Sequence, residues 1–174
     1  TVNAVKAVVV AALLVIVYIS LVFRSVPKPA SSIRFGVSAV IALIHDVLVV
    51  VGVFSILGHF LSVEIDSLFI TALLTVIGFS VHDTIVVFDR IRENLGKNTN
   101  SSFSGIVNDS ILQTIGRSLN TSITVILVLF ALLLFGGESI RWFVVALIIG
   151  VASGTYSSIF NASPILVVWH EWSL

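Results

Sequence analysis

The sequence predicts an all-α, polytopic membrane protein, folded as a bundle of five transmembrane helices. Hydrophobic residues make up 57% of the chain, charged residues only 10%, and the mean hydropathy is +1.16, whereas soluble domains contain roughly 25% charged residues. Five apolar segments have about the 20 residues that a helix needs to cross a bilayer. Backbone polar groups in lipid must be satisfied within the segment, so each span is predicted to be helical. The predicted spans are 4–23, 35–57, 68–88, 119–135 and 142–169.

The composition also limits the chemistry. The chain has no cysteine, which excludes disulfides, cysteine-ligated zinc and thiol catalysis. No nucleic-acid partner, metal or catalytic residue is expected, and no cofactor beyond protons as a coupling ion. The chain opens on Thr-Val-Asn without an initiator methionine, so it is expected to be part of a longer protein. The lipid bilayer is an expected partner of its apolar segments.

The connections between spans predict the orientation. Lysine and arginine concentrate in the first and third connections, whereas the second contains Glu64 and Asp66 and no lysine or arginine. The positive-inside rule places the basic connections in the cytoplasm, with the N-terminus outside and the C-terminus inside. The basic residues of these two connections are Arg24, Lys28, Arg34, Arg90, Arg92, Lys97 and Arg117.

The third connection also contains a helical pattern. Apolar residues recur at intervals of three to four between 103 and 115. This spacing predicts a short amphipathic helix on the cytoplasmic surface that leads into the fourth span.

Asp83 is the most unusual residue of the spans. It lies inside the third apolar segment, beside His82. Insertion scales put the cost of an acid near a helix centre at about 2.5–3.5 kcal/mol, and buried acids in membranes commonly mark proton or substrate paths. Asp83 is therefore the candidate proton carrier, and His82 is either a second titratable partner or an interhelical donor.

A polar stripe leads into the fourth span and includes Arg117. Facing lipid it would be costly, so it is expected to face other helices or a water-filled path. Its depth roughly matches that of Asp83, which predicts an ion pair between Asp83 and Arg117; the alternative is that Arg117 is one more inner-surface charge. The stripe consists of Gln113, Thr114, Arg117, Asn120, Thr121 and Thr124.

Two other spans carry polar residues of interest. His45 and Asp46 lie near the middle of the second span, and both are candidate members of a proton relay. They point about 100° apart on a helix, so they are not expected to share a face, and His45 is equally compatible with a packing role. The last span carries a stripe of small residues that predicts a close helix-packing seam. That stripe consists of Gly150, Gly154, Ser157 and Asn161.

Four stretches together resemble the SecD/SecF protein-export family, within the resistance-nodulation-division superfamily, and specifically its SecF type. They are ALIHD at 42–46, GFSVHDTIVVFDRIRENL at 78–95, QTIGRSLNTSIT at 113–124 and GTYSSIFNASPIL at 154–166. The family's intramembrane aspartate falls on Asp83, and its arginine on the next span falls on Arg117. His82 departs from the small polar residue expected at its position.

The resemblance implies a subunit of a bacterial or archaeal cell membrane that pairs with SecD, separate or fused. Such subunits assist a SecYEG-type translocon and use the proton-motive force to help move preproteins across the membrane. The family's first span and large periplasmic domain precede the region matched here. In the mechanism this suggests, a proton neutralises Asp83, weakens its bond to Arg117 and lets the helices repack.

Three alternatives remain open from sequence. A proton-driven exporter of small molecules or lipids from the same superfamily would use the same acid. An intramembrane metalloenzyme is disfavoured, because no His-Glu-x-x-His occurs and the His-Asp pairs are adjacent. A purely structural assembly subunit would leave Asp83 and Arg117 dispensable.

Overall fold

A computed structural model describes residues 2–24, 31–97 and 101–172, and the fold is an all-helical bundle. A 3₁₀ turn at Glu138–Ile140 precedes α5, and a π turn at Ser158–Ala162 separates α5 from α6. The helices are α1 (Val2–Val22), α2 (Ser32–Leu61), α3 (Ser67–Lys97), α4 (Phe103–Phe135), α5 (Arg141–Ser157) and α6 (Ser163–Glu171).

Four helical segments are long and apolar enough to cross a membrane, consistent with a multi-pass membrane protein. They are α2, α3, α4 and the combined segment Glu138–Glu171. The first predicted span corresponds to α1, whose apolar part, Lys6–Val22, is shorter than these four.

The predicted short amphipathic helix is not a separate element. Residues 103–115 form the first part of α4, which continues without a break to Phe135. Its apolar residues Phe103, Ile106 and Val107 are buried in the core of the bundle. Because no proline interrupts this stretch, the backbone hydrogen bonds run on into the fourth apolar segment.

Polar side chains mark where helices begin. The Asp66 carboxylate accepts the backbone N–H of Phe69 at 2.9 Å at the start of α3, and the Ser102 hydroxyl accepts the N–H of Gly105 at 3.2 Å at the start of α4. Both bonds satisfy amides that have no partner within the helix. After α4 the chain turns through Gly137, whose φ of 79° favours glycine.

Helix α3 is the centre of the bundle and packs most extensively against α5. Two apolar clusters surround it. One contains the aromatic group of Phe23, Phe35 and Phe88, with ring centroids 5.0–5.8 Å apart. The other contains Phe54 and Phe69, whose centroids are 4.6 Å apart. A layer of buried polar side chains lies where the two clusters meet.

Several contacts gather helix ends at one side of the bundle. Arg92, near the end of α3, donates to the backbone oxygen of Val22 at the end of α1 (3.3 Å). Arg34, at the start of α2, lies 3.2 Å from Nδ1 of His170, near the end of α6. The His170 ring packs on Phe103, at the start of α4, with centroids 4.2 Å apart. Consecutive long helical segments therefore alternate in direction.

Candidate functional site

Asp46 is fully buried at the junction of α2, α3 and α5. Its Oδ2 accepts hydrogen bonds from the hydroxyls of Ser80 (2.5 Å) and Ser157 (2.7 Å). Its Oδ1 accepts the hydroxyl of Ser153 (2.7 Å) and lies 3.1 Å from Nδ1 of His45. Four groups thus surround one carboxylate, which compensates the removal of an acid from water. We refer to these five side chains as the Asp46 clasp.

The contact between His45 and Asp46 differs from prediction. Adjacent positions on a helix do point apart, but the two side chains turn toward each other and meet at 3.1 Å. The side chain of His45 is 38% exposed and that of Asp46 is not exposed at all. His45 therefore links the buried carboxylate to the surface of this chain.

The predicted seam on α5 brings the clasp together. A Cβ atom added to Gly150 would lie 2.1 Å from a methyl carbon of Val76, and one added to Gly154 would lie 3.2 Å from the Cα of Ser80. Only glycine allows α5 to approach α3 this closely. The approach places Ser157 within reach of Asp46. Asn161, the last residue of the stripe, is half-buried in the π turn.

Asp83 is also buried, with 5% exposure, but it has far fewer partners. Its Oδ2 accepts one hydrogen bond, from the hydroxyl of Ser158 at 3.3 Å. The same hydroxyl lies 3.1 Å from the backbone oxygen of Thr155, so its single hydrogen is shared between two acceptors. His82 points outward and is exposed, and it makes no hydrogen bond or ion pair with any residue that the structure describes.

A π turn lies directly beside Asp83. Ser158, the donor to Asp83, is its first residue, and Pro164 is the second residue of α6, which follows the turn directly. Proline lacks an N–H and its ring crowds the preceding turn, and a widened turn relieves that crowding. Such π turns within helices occur frequently at functional sites.

The predicted ion pair between Asp83 and Arg117 is not formed. The structure describes both residues, and no ion pair among the described residues joins them. Asp83 is buried toward the π turn, whereas Arg117 is exposed on α4. The pair was predicted from the depths of the two residues along their helices. That argument did not establish which helix faces they lie on.

Arg117 instead lines an open cavity of about 220 Å³ between α3 and α4. Within it, Arg90 pairs with Glu93 at 2.6 Å and donates to Gln113 at 2.6 Å. Val86, which also lines the cavity, is three residues from Asp83. The cavity is lined by Val86, Asp89, Arg90, Glu93, Gln113, Thr114 and Arg117.

The rest of the polar stripe is mostly open. Thr114 is buried, whereas Asn120, Thr121 and Thr124 are exposed on α4. Only 11% of the apolar window of α4 is buried, compared with 50% for α3. Among the residues that the structure describes, the stripe is therefore buried mainly near its N-terminal end, at Thr114.

Comparison with known proteins places the chain in a family. The family model described as "Protein export membrane protein SecD/SecF, C-terminal" matches residues 1–172. The chain belongs to this family. The resemblance seen in the four motifs is thereby confirmed.

Relatives agree with this assignment. The chain is 60% identical over 169 residues to the protein translocase subunit SecF of Thermobaculum terrenum, covering 97% of this chain and 52% of that protein. It is 51% identical over 173 residues to the SecF of Anaerolinea thermophila, covering 98% and 55%. The chain thus spans about half the length of the curated SecD/SecF relatives it matches.

A solved structure shares the fold. A crystal structure of SecDF in its super-membrane-facing form superposes with a TM-score of 0.86 at 40% identity, covering 98% of this chain and 22% of that one. The helical arrangement described above is therefore that of a SecD/SecF membrane region.

Three of the four SecD/SecF motifs converge in the polar layer. The motif at 42–46 supplies Asp46, that at 78–95 supplies Ser80 and Asp83, and that at 154–166 supplies Ser157 and Ser158. The fourth, at 113–124, places Arg117 at the cavity instead. Sequence reasoning missed Ser80, Ser153 and Ser158 as partners of the acids. The signal for them was serine inside apolar spans, where a buried hydroxyl requires an acceptor.

Ser38 offers a test of how much the clasp bonds contribute to stability. It is fully buried on α2, and its hydroxyl has no hydrogen-bond partner among the described residues. Since an unpaired buried hydroxyl is unfavourable, Ser38→Ala is expected to raise the free energy of unfolding by about 1 kcal/mol. Ser157→Ala, which removes a paired hydroxyl, is expected to lower it by a similar amount. Thermal unfolding in detergent measures both; equal losses in the two variants would contradict the expectation.

Proposed function

We propose that this chain is the membrane part of a SecF subunit that uses the proton-motive force to help a SecYEG-type translocon move preproteins across the membrane. Its membership of the SecD/SecF family and the naming of its relatives as translocase subunits support this proposal. The observation that carries the proton step is Asp83, an acid with 5% exposure and one long hydrogen bond.

The proposed topology has five spans, with the N-terminus outside and the C-terminus inside. It is supported by the alternation of helix direction, which gathers the ends of α1, α3 and α6 at one side. Arg34 and Arg92 lie at that side, which the positive-inside rule assigns to the cytoplasm. The connection between α2 and α3, with Glu64 and Asp66, then lies outside.

Asp83 acts as the proton carrier in this proposal. Because its side chain has one long hydrogen bond to the part of the chain that the structure describes, a change of its charge does not dismantle a bonded network there. A neutral Asp83 tolerates a drier environment than a charged one, so protonation favours a different packing of α3 against α5. One charge crossing the membrane potential gains about 2.3 kcal/mol per 100 mV, which biases two packings by tens of fold.

The remaining relay residues flank Asp83 on either side. His45 connects the buried layer to the chain surface, next to Asp46, and His82 is exposed beside Asp83. The cavity that Arg117 lines lies on the cytoplasmic side, with Val86 between it and Asp83. We assign this cavity to proton release. The positive charge of Arg117 would favour the charged form of the Asp83 carboxylate once its proton has left.

SecD is the proposed partner of the exposed α4 face. Asn120, Thr121 and Thr124 lie at membrane depth and are exposed in this chain alone. Polar groups facing lipid are costly, and in membrane bundles they pair across helices. A SecD subunit with membrane helices of its own would cover the stripe.

Reconstitution tests the proposal. The full-length protein, with SecD and the translocon in proteoliposomes, is expected to increase preprotein import only when a proton gradient is imposed. A protonophore should remove the increase and leave unchanged the import that is seen without a gradient. Equal import with and without the gradient would contradict the proposal. Gradient-driven efflux of a small molecule or lipid, without recovery of the translocon in the purified complex, would instead favour an exporter.

A further inference from the structure

The Asp46 clasp joins three helices through one carboxylate. Its donors come from α2 (His45), α3 (Ser80) and α5 (Ser153 and Ser157). Each carboxylate oxygen receives two of them, which fills the acceptor positions of an ionised aspartate. A proton on Asp46 would therefore displace a donor. The four contacts of this carboxylate hold α2, α3 and α5 together at one level of the bundle.

Two serines of the Asp46 clasp, Ser80 and Ser157, lie close to Asp83 or to its hydrogen-bond donor. Ser80 lies three residues before Asp83 on α3, and Ser157 immediately precedes Ser158, the donor to Asp83. Asp46 Oδ2 holds both Ser80 and Ser157, at 2.5 Å and 2.7 Å. It therefore fixes the height and rotation of α5 relative to α3 at the level of Asp83.

The bond at Asp83 is sensitive to that register. The Ser158 hydroxyl is 3.3 Å from Asp83 and 3.1 Å from the backbone oxygen of Thr155. A shift of a few tenths of an ångström decides which acceptor receives its hydrogen, since both contacts lie just beyond the range of about 2.5–3.0 Å that is usual for O–H···O hydrogen bonds.

We propose that Asp46 is a positioning residue that, through Ser80 and Ser157, sets the Ser158 hydroxyl against Asp83 and so sets the pH at which Asp83 exchanges its proton. The inference rests on the proposed role of Asp83 as proton carrier. The titratable side chains around the layer, among the residues that the structure describes, are His45 on α2, Asp83 and His82 on α3, and Tyr156 on α5. His82 and Tyr156 are exposed, and the remaining contacts of the two acids are hydroxyls.

The test measures gradient-driven preprotein import against pH in the reconstituted full-length complex. Ser158→Ala removes the hydroxyl that stabilises the charged carboxylate, so the pH of half-maximal stimulation is expected to rise by about 0.5–1 unit. Asp46→Asn replaces an acceptor oxygen with an amide that faces hydroxyl donors, and is expected to raise it similarly. The double variant is expected to shift no further than either single one, because both changes remove the same bond.

Matched serine variants test whether Asp46 acts on Asp83 through Ser157 and Ser158. Ser157→Ala is expected to shift the pH midpoint more than Ser153→Ala, although both hydroxyls donate to Asp46 at 2.7 Å, because only Ser157 adjoins Ser158. If Asp46→Asn fails to insert into the membrane, Ser157→Ala takes its place: the two single variants Ser157→Ala and Ser158→Ala are then compared with their double variant. Ser38→Ala, a buried hydroxyl on α2, is expected to leave the midpoint unchanged.

Two outcomes would overturn the proposal. One is that Asp46→Asn and Ser157→Ala lower thermal stability but leave the midpoint in place, which is the result of a purely structural clasp. The other is that shifts add in the double variant. Asp83→Asn in the same assay separates the two levels. Gradient-driven stimulation retained in that variant means that the assignment of Asp83 as the proton carrier fails, whereas loss of stimulation in that variant together with an unchanged Asp46→Asn midpoint overturns positioning alone.

Discussion

Asp83→Asn is expected to abolish the stimulation of preprotein import by a proton gradient, reducing it at least tenfold to the level seen without a gradient. Asparagine has nearly the same shape, so the buried position with 5% exposure is preserved. The amide, however, cannot change charge with pH. The gradient then no longer biases the packing of α3 against α5, a bias of about tens of fold per 100 mV for one charge.

The variant is expected to fold normally, because it removes a buried acid rather than a packing group. Its thermal unfolding temperature and its yield in the membrane should match those of the unmodified protein. Asp109→Asn provides a matched control, because Asp109 is exposed on α4; it is expected to retain full stimulation. Stimulation that survives in Asp83→Asn would assign the proton step to another residue.

Gly150→Ala is expected to destabilise the bundle by about 1–3 kcal/mol, the usual effect of overpacking a tight interface. The new Cβ would lie 2.1 Å from a methyl carbon of Val76, which is fully buried. Valine is restricted in its rotamer within a helix and cannot swing away easily. The helices α3 and α5 must separate, which also lengthens the bonds of Ser153 and Ser157 to Asp46.

Thermal unfolding in detergent measures this loss of stability, and two further variants serve as comparisons. Gly78→Ala is expected to be neutral or slightly stabilising, because nothing among the described residues lies within 4 Å of the position that its new methyl group would take on α3. Val76→Ala should partly restore Gly150→Ala, because it removes the two methyl carbons at 2.1 and 2.6 Å but leaves its Cβ at 2.9 Å. A Gly150→Ala protein as stable as Gly78→Ala would show that the seam tolerates separation.

Much of the fold followed from local chemistry. Apolar length predicted the membrane helices, and the small residues Gly150 and Gly154 predicted a close seam that the structure places against α3. The extent of α4 was harder to predict from the sequence. The spacing of apolar residues at 103–115 suggested a short surface helix, but the backbone of 103–135 is continuous and its first turns are buried in the core.

The candidate site shows most clearly which features follow from the sequence and which depend on the tertiary structure. Sequence alone determined that Asp46 and Asp83 lie in apolar segments, and that the chain resembles the SecD/SecF family. Only the tertiary structure decided that, among the residues it describes, Asp46 has four partners, Asp83 has one, and Arg117 is not paired with Asp83. The physical reason is that a membrane helix is apolar on its lipid-facing and its buried sides alike, so periodicity does not reveal which face meets which neighbour. That choice depends on helix rotation and on how closely two backbones approach, which are properties of the packed bundle.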